Sequence, residues 1–303
     1  MLAFVSFLNG RFVPANELTL SAADAGFVSG VTVTDFCRTY RHRLFRWPEH
    51  LARLRRDCAT CRITIAFDDA ELTAAAERLV FEHSASLPET ADLAVVTFAT
   101  PGPLGAYLGT TSNGPPTLGM HAFPLATERY RRFFVEGVTL AVAGVNPFAA
   151  GGIVPTDLKH RNRLAWWLAE QAVPPGSVAV LTDPDGRAAD AALGSIVAVR
   201  GNDLMRSPKG TVLESVSLGV LSELAERLGL GWFETDQSIA ELATADELLC
   251  VGSGFGVTGV RALTAEGIER VYDWPGLQTS RLIAAWSDLV GIAIDRQFDG
   301  ALS

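Results

Sequence analysis

Apolar residues along this chain change their period again and again. Short runs that alternate every second residue, bounded by turn pairs, give way to runs spaced three and four apart, and then the alternation returns. Neither an all-helical nor an all-sheet core accepts such a pattern, so it requires sheets with helices laid on them. Residues 2–8 and 10–13 read as a hairpin about Asn9-Gly10, and residues 31–40 and 43–47 as a second about Arg41-His42. Pro48 suits a helix's first turn, and His50, Leu51, Leu54 and Cys58 follow at helical spacing. A second helix is expected over 71–84, with Leu72, Ala76, Leu79 and Val80 on one face. Residues 92–100 and 117–124 read as strands, separated by a loop rich in Pro, Gly and Ser.

Past Thr127 the chain becomes charged (Glu128, Arg129, Arg131, Arg132), which reads as the end of a linker. Strands are expected at 138–145, 178–182, 195–200 and 247–251, and helices at 162–173, 218–228 and 279–290. The turn Asp183-Pro184-Asp185-Gly186 separates two of the strands. At 303 residues the chain is too long for one small core. The expectation is an α/β (α+β) fold in two domains: a small N-terminal α/β domain over 1–123, a linker over 124–134, and a larger C-terminal mixed α/β domain over 135–303.

A net charge of −9 without any Lys/Arg run argues against a nucleic-acid groove or an anionic membrane surface as partner. No stretch approaches the roughly 20 apolar residues of a membrane span. Residues 1–7 lack the positive flank of a signal peptide. Four cysteines in this length make no disulfide framework, so a cytoplasmic address is the default expectation. Cys58 and Cys61 form a C-x-x-C, but no second Cys/His pair lies near in sequence to complete a zinc site, and no metal is expected. A redox pair and two small semi-buried side chains both remain open, and the position at a helix end favours the latter.

Of the 25 basic residues only Lys159 and Lys209 are lysines. Lys209, in Ser207-Pro208-Lys209-Gly210, reads as a solvated turn residue. Lys159 lies between a glycine-rich stretch and the Trp166-Trp167 helix. Arginine would serve a plain electrostatic purpose there, whereas an amine that must lose its proton and attack a carbonyl has to be lysine. A surface lysine at a helix start is the competing reading.

Five segments in order resemble the fold-type IV enzymes that use pyridoxal 5′-phosphate (PLP), the class-IV aminotransferase family, which includes aminodeoxychorismate lyase. They are Phe7-Leu8-Asn9-Gly10-Arg11; Gly26…Gly30 followed by Asp35-Phe36-Cys37-Arg38-Thr39-Tyr40; Glu49-His50-Leu51-Ala52-Arg53-Leu54; Lys159-His160-Arg161-Asn162-Arg163-Leu164; and Ala245-Asp246-Glu247 leading to Gly252-Ser253. The resemblance implies a homodimer acting on an amino acid and a 2-oxo acid, with PLP held as a Schiff base on Lys159. It implies that Arg53, Val216, Ser217 and Ser253 hold the cofactor phosphate, that Asp190 partners the ring nitrogen, and that Ser195 stands near it where relatives often carry asparagine. Substrate-side candidates are Thr34, Arg38, Tyr107, Arg163 and Gly254.

Departures bear on substrate. The family's glutamate and aromatic on the second motif are Asp35 and Thr34. The phosphate loop reads Leu213-Glu214-Ser215-Val216-Ser217-Leu218, without the usual glycine and arginine. Arg163 replaces a frequent tyrosine, and Asp190 replaces a glutamate. The strand ending Phe98-Ala99-Thr100 offers no arginine for a second carboxylate. Amino-group transfer is the leading expectation. Elimination of the aminodeoxychorismate-lyase kind is the alternative, suggested by the Lys-His-x-Asn-Arg-Leu string, and a PLP-fold binding protein without catalysis is the third.

Overall fold

The protein is seen here in a computed structural model that describes residues 4–85, 87–88, 91–148 and 152–298. Its chain divides into two compact units, Met1–Leu125 with Lys159–Asn162, and Ala126–Leu158 with Arg163–Ser303.

The first unit is a six-stranded antiparallel sheet with two long helices on one face. Its strands are β1 (Val5–Leu8), β2 (Arg11–Pro14), β3 (Val33–Tyr40), β4 (Arg43–Leu44), β5 (Leu93–Thr100) and β6 (Thr117–Pro124), in the order β2-β1-β6-β5-β3-β4. Its helices are α1 (Ala25–Val28), α2 (Trp47–Thr60), α3 (Asp69–Ser84) and α4 (Gly105–Leu108). Asn9 and Gly10 both take positive φ, which matches the twist of a two-residue hairpin turn, and Gly10 does so without steric cost. Arg41 and His42 make the second turn the same way without any glycine. Residues 2 and 3 of the expected first strand lie outside the described residues. The helix α3 starts at Asp69, earlier than the apolar spacing suggests, because Asp68 and Glu71 form a reciprocal cap, each accepting the other's backbone N–H at 2.8 Å.

Alternation along the strands decides which face is dry. Phe7, Val33, Cys37, Leu93, Val95, Ala99, Leu118 and Met120 meet Leu51, Leu54, Leu72, Ala76 and Leu79 of the helices in one cluster. Their neighbours Ser6, Thr34, Phe98 and His121 therefore point to the other face.

The second unit carries a nine-stranded mixed sheet. After α5 (Arg131–Val135) come β7 (Val138–Val145), α6 (Leu164–Ala172), β8 (Val178–Thr182), β9 (Ala188–Ala191), β10 (Ser195–Arg200), β11 (Asp203–Arg206), α7 (Val216–Arg227), β12 (Gly231–Glu234), α8 (Ile239–Ala243), β13 (Glu247–Gly252), β14 (Gly256–Ala265), β15 (Ile268–Val271) and α9 (Leu277–Val290). The order is β12-β11-β10-β13-β14-β7-β8-β9, with β15 on β14. The pairs β7–β8, β7–β14 and β11–β12 are parallel and the rest antiparallel. The charged stretch after Thr127 is helical, a 3-10 turn running into α5, because Phe133 is anchored in the core while the arginines face outward.

Segment Lys159–Asn162 groups with the first unit although both flanks belong to the second. It is stitched antiparallel to the start of β3: Thr34 N–H donates to the Lys159 carbonyl at 3.0 Å, and Arg161 N–H to the Thr32 carbonyl at 2.9 Å.

On β3, Arg38 is buried and donates to Asp92 at 2.8 Å, with its guanidinium stacked 3.9 Å from the Tyr40 ring centre. Thr39 adds a hydroxyl bond to the other Asp92 oxygen at 3.0 Å. Truncating one partner of such a pair strands a buried charge, so Arg38→Ala should cost about 3–5 kcal/mol of stability. Arg38→Met combined with Asp92→Leu should recover most of that loss, as followed by urea denaturation.

Candidate active site

The first unit gathers its candidate residues around one carboxylate. Asp35 on β3 faces α2, where His50 and Arg53 stand one turn apart on the buried side. Arg53 Nε and Nη2 lie 2.8 and 3.0 Å from the two Asp35 oxygens, a fork that an arginine makes and a lysine does not. His50 Nδ1 lies 2.6 Å from Asp35 Oδ1. Burial works against ionisation of Asp35, but the Arg53 charge and the His50 contact outweigh it and hold the carboxyl well below its usual range. Burial pushes the His50 pKa down more than Asp35 pushes it up, with Arg53 and Lys159 adding to the fall. The imidazole is thus neutral at neutral pH and donates its Nδ1 proton to Asp35.

Lys159 enters this group from its own side. Its backbone N–H donates to Asp57 Oδ2 on α2 at 3.0 Å, its carbonyl is taken by Thr34, and its side-chain charge is felt by His50. The lysine's main chain is therefore tied at both polar atoms. Asp57, whose pKa is raised by burial against the pull of the Lys159 amide and Arg56, also pairs with Arg56 at 2.8 Å.

In the second unit Asp190 lies on β9, and its Oδ2 accepts from Leu213 N–H at 2.9 Å. That contact brings the carboxylate to the loop that starts α7. Ser215 caps α7 by accepting from Leu218 N–H at 3.1 Å, and its hydroxyl lies 3.5 Å from that of Ser195. The amides of Val216 and Ser217, and the Ser217 hydroxyl, have no partner among the described residues. The first turn of a 12-residue helix with unspent donors is suited to an anion. Ser195 on β10 pairs with Val251, next to the turn that holds Ser253 between β13 and β14. Gly254 in that turn lies close under the Tyr130 ring, since a Cβ there would lie 2.5 Å from the Tyr130 hydroxyl and the ring would have to shift. Arg163 donates to the Ala192 carbonyl at 2.9 Å and lies over Trp166; burial lowers its pKa, while Glu170 and Asp190 act to raise it.

Other candidates stand apart from these groups. The Arg38 guanidinium is committed to Asp92 and Tyr40 inside the core. Thr34 donates to the Thr97 carbonyl at 3.1 Å and accepts from Arg161 Nε at 3.2 Å. Tyr107 projects from α4 into solvent. Cys58 and Cys61 are free thiols; burial pushes Cys58 up to about 12 and raises Cys61, the opposite of a reactive pair. No cluster suited to a metal ion exists among the described residues.

Residues 32–263, which include Arg53, Lys159, Asp190 and Ser253, match the family model described as amino-transferase class IV. The chain belongs to that family. A D-alanine aminotransferase of Staphylococcus aureus (strain N315) is 24% identical over 266 residues, covering 86% of this chain and 90% of its own. The fold matches that of the branched-chain amino acid aminotransferase from Escherichia coli, with a TM-score of 0.78 at 21% identity over 95% of this chain and 94% of that one. A second branched-chain amino acid aminotransferase, from T.th., was solved in complex with N-(5′-phosphopyridoxyl)-L-glutamate; it matches with a TM-score of 0.80 at 22% identity over 95% of both chains. The fold also matches 4-amino-4-deoxychorismate lyase from Pseudomonas aeruginosa, with a TM-score of 0.73 at 26% identity over 93% of this chain and 98% of that one. The class-IV architecture expected from the five motifs is the one this aminotransferase-family enzyme has.

Two participants escape the sequence reading. His50 stands there within a family motif and on a helix face but is given no role, although its spacing of three from Arg53 places both on one helix face and could have flagged it. Asp57 carries no signal, since its partner lies 102 residues away.

The Asp35 cluster sets a pH expectation. A carboxyl held below its unfolded value of about 3.9 contributes its full stabilisation above that pH and loses it as pH falls toward the depressed value. Asp35→Asn should lower the melting temperature at pH 7 and flatten the acid-side fall of melting temperature between pH 5 and pH 3, as read by calorimetry.

Proposed function

We propose that this chain binds pyridoxal 5′-phosphate through Lys159 and transfers an amino group between an amino acid and a 2-oxo acid. The observation that carries the reading is the anchoring of Lys159, one of only two lysines in the chain, at both its amide and its carbonyl beside the buried Asp35–His50–Arg53 group. Such anchoring suits an amine that must return to one position after each turnover. The unspent donors at the start of α7 fit a phosphate, and the carboxylate of Asp190 fits a ring nitrogen that has to stay protonated. The phosphopyridoxyl compound in the T.th. relative supports the same cofactor here.

In this reading Val216, Ser217 and Ser253 hold the phosphate together with Arg53. Arg53 brings a guanidinium whose charge is already shared with Asp35, so the helix donors carry a larger part of the anion binding than a lone arginine would leave to them. The cofactor, when bound, supplies an aldehyde that takes up an amino group and a ring that accepts electrons from the Cα–H bond. Lys159 Nζ is the group that would hold the cofactor's aldehyde carbon, and as a free amine it would move the proton at the substrate Cα. Asp190 would face the ring nitrogen and favour its protonated form. Ser195 steadies the cap at Ser215.

A second reading, elimination, is favoured by the Lys159-His160-Arg161-Asn162-Arg163-Leu164 string and by the likeness to the Pseudomonas aeruginosa lyase. It predicts pyruvate release without any amino acceptor, whereas transfer requires one.

Borohydride reduction of the purified protein with PLP should attach a pyridoxyl group to the peptide carrying Lys159, located by mass spectrometry. A label on Lys209, or none, would overturn the assignment. Asp190→Ala should keep cofactor uptake yet slow amino transfer by about a hundredfold or more, the scale of one placed proton-handling group.

A further inference from the structure

Three consecutive residues ahead of α7 each reach a different strand of the second unit's sheet. Leu213 gives its amide N–H to Asp190 on β9 at 2.9 Å. The Ser215 hydroxyl lies 3.5 Å from that of Ser195 on β10. Between them Glu214 is gripped from β11 by Arg206, whose Nη1 donates to Oε2 at 3.1 Å and whose Nη2 donates to Oε1. Arg206 is about 3% exposed, and its Nε donates to the Ser207 carbonyl at 2.7 Å. All three guanidinium nitrogens are thus engaged inside the unit, which leaves none to touch a ligand. Glu234, opposite Arg206 on the β11–β12 ladder, has a cation of its own in Lys209 at 3.5 Å.

What separates this pair from a plain tie between strand and loop is the place its carboxylate would otherwise take. Glu214 stands one residue before the cap Ser215 and two before Val216, and the amides of Val216 and Ser217 have no partner among the described residues. The positive end of a helix attracts a carboxylate near it. Glu214 has that charge on a long side chain, 26% exposed and so not walled in by packing. Released, it would turn toward those amides and repel a phosphate brought to them. The two-pronged guanidinium contact directs it to β11 instead, and the donors of α7 stay open.

We infer that Arg206 is a positioning residue for the cofactor phosphate: by holding the Glu214 carboxylate on β11, it keeps the first turn of α7 free for the anion. This role rests on the reading of that turn as the phosphate seat, and adds to it the one charge that has to be kept away.

Equilibrium dialysis of the full chain, freed of cofactor, against PLP and separately against pyridoxal, which lacks the phosphate, tests it. The ratio of the two affinities reads the grip on the phosphate without any turnover. Arg206→Gln should cut the preference for PLP about tenfold or more, the scale of a like charge brought close to an anion near a protein surface. The affinity for pyridoxal should stay in place, which also shows that the variant is folded. Adding Glu214→Gln to Arg206→Gln should restore most of the preference, because no carboxylate is left to compete. A pair that only braces the loop gives no such rescue. If Arg206→Gln does not fold, Arg206→Lys, which keeps the charge but not the fork, takes its place, with part of the preference lost and regained on adding Glu214→Gln. A preference unchanged by the Arg206 substitution, or a double variant no better than the single one, overturns the role of Arg206 and leaves the phosphate seat standing. An unaltered protein that binds pyridoxal as tightly as PLP overturns both.

Discussion

The pairing of four residues, Lys159–Asn162, with the start of β3 is the constraint on which the first unit's chemistry rests. Two backbone bonds to Thr32 and Thr34 and one to Asp57 settle where the lysine's Cα stands before any side chain is considered. Backbone bonds in a strand register leave little freedom to slip, because a shift of one residue would turn Lys159 and Arg161 to the wrong face. The same register that brings Lys159 to α2 therefore sets Arg161 beside Thr34. Neither side chain could move alone without undoing the other's position.

Around that pairing the unit's electrostatics are sorted by depth. Arg38 and Arg53 are neutralised inside, each by a carboxylate with several donors, and His50 is kept neutral by burial. Interior charge that is paired and hydrogen-bonded resists rearrangement, since breaking it leaves an ion without water. The second unit follows another logic, in which main-chain donors at the start of α7 stand unspent while the Asp190 carboxylate takes an amide of the loop before them. One unit offers a lysine held by its main chain and spent cations; the other offers open donors and a carboxylate. The match over residues 32–263, which gives the family membership, spans both groups.

Much of this was legible in the residues. The two hairpins, the helix at Pro48, the face of Leu72, Ala76, Leu79 and Val80, and the strands at 93–100, 117–124 and 138–145 all follow from period and punctuation. The ten-residue β14 went unread, and most of the rest that stayed hidden is short or charged. Strands β9, β11, β12 and β15 and helix α8 span only four or five residues, too few for a period to show. Helix α5 was masked by its arginines, since one buried Phe133 holds it in place. The candidate site was named in the sequence only where a motif carried a residue, as at Arg53, Lys159 and Asp190. It was not legible where a side chain reaches across the fold, as Asp57 does to an amide 102 positions later. Arg38 shows the converse: its motif suggested a substrate role, and only its contacts with Asp92 and Tyr40 reveal a residue spent on holding β3.

The path of the chain has an evolutionary corollary. Leu125 is the last residue of the first unit's continuous stretch, yet four residues beyond position 158 belong to it as well. A gene recombining with a relative at that boundary would inherit its lysine from one parent and the strand and helix that seat it from the other. Chimeras joined there would inherit mismatched halves of one hydrogen-bonded register, whereas an exchange that carries residues 159–162 along with the first 125 would keep the register whole. Exchanging segments between relatives is thus a matter of where the crossover falls, not only of which side chains are exchanged.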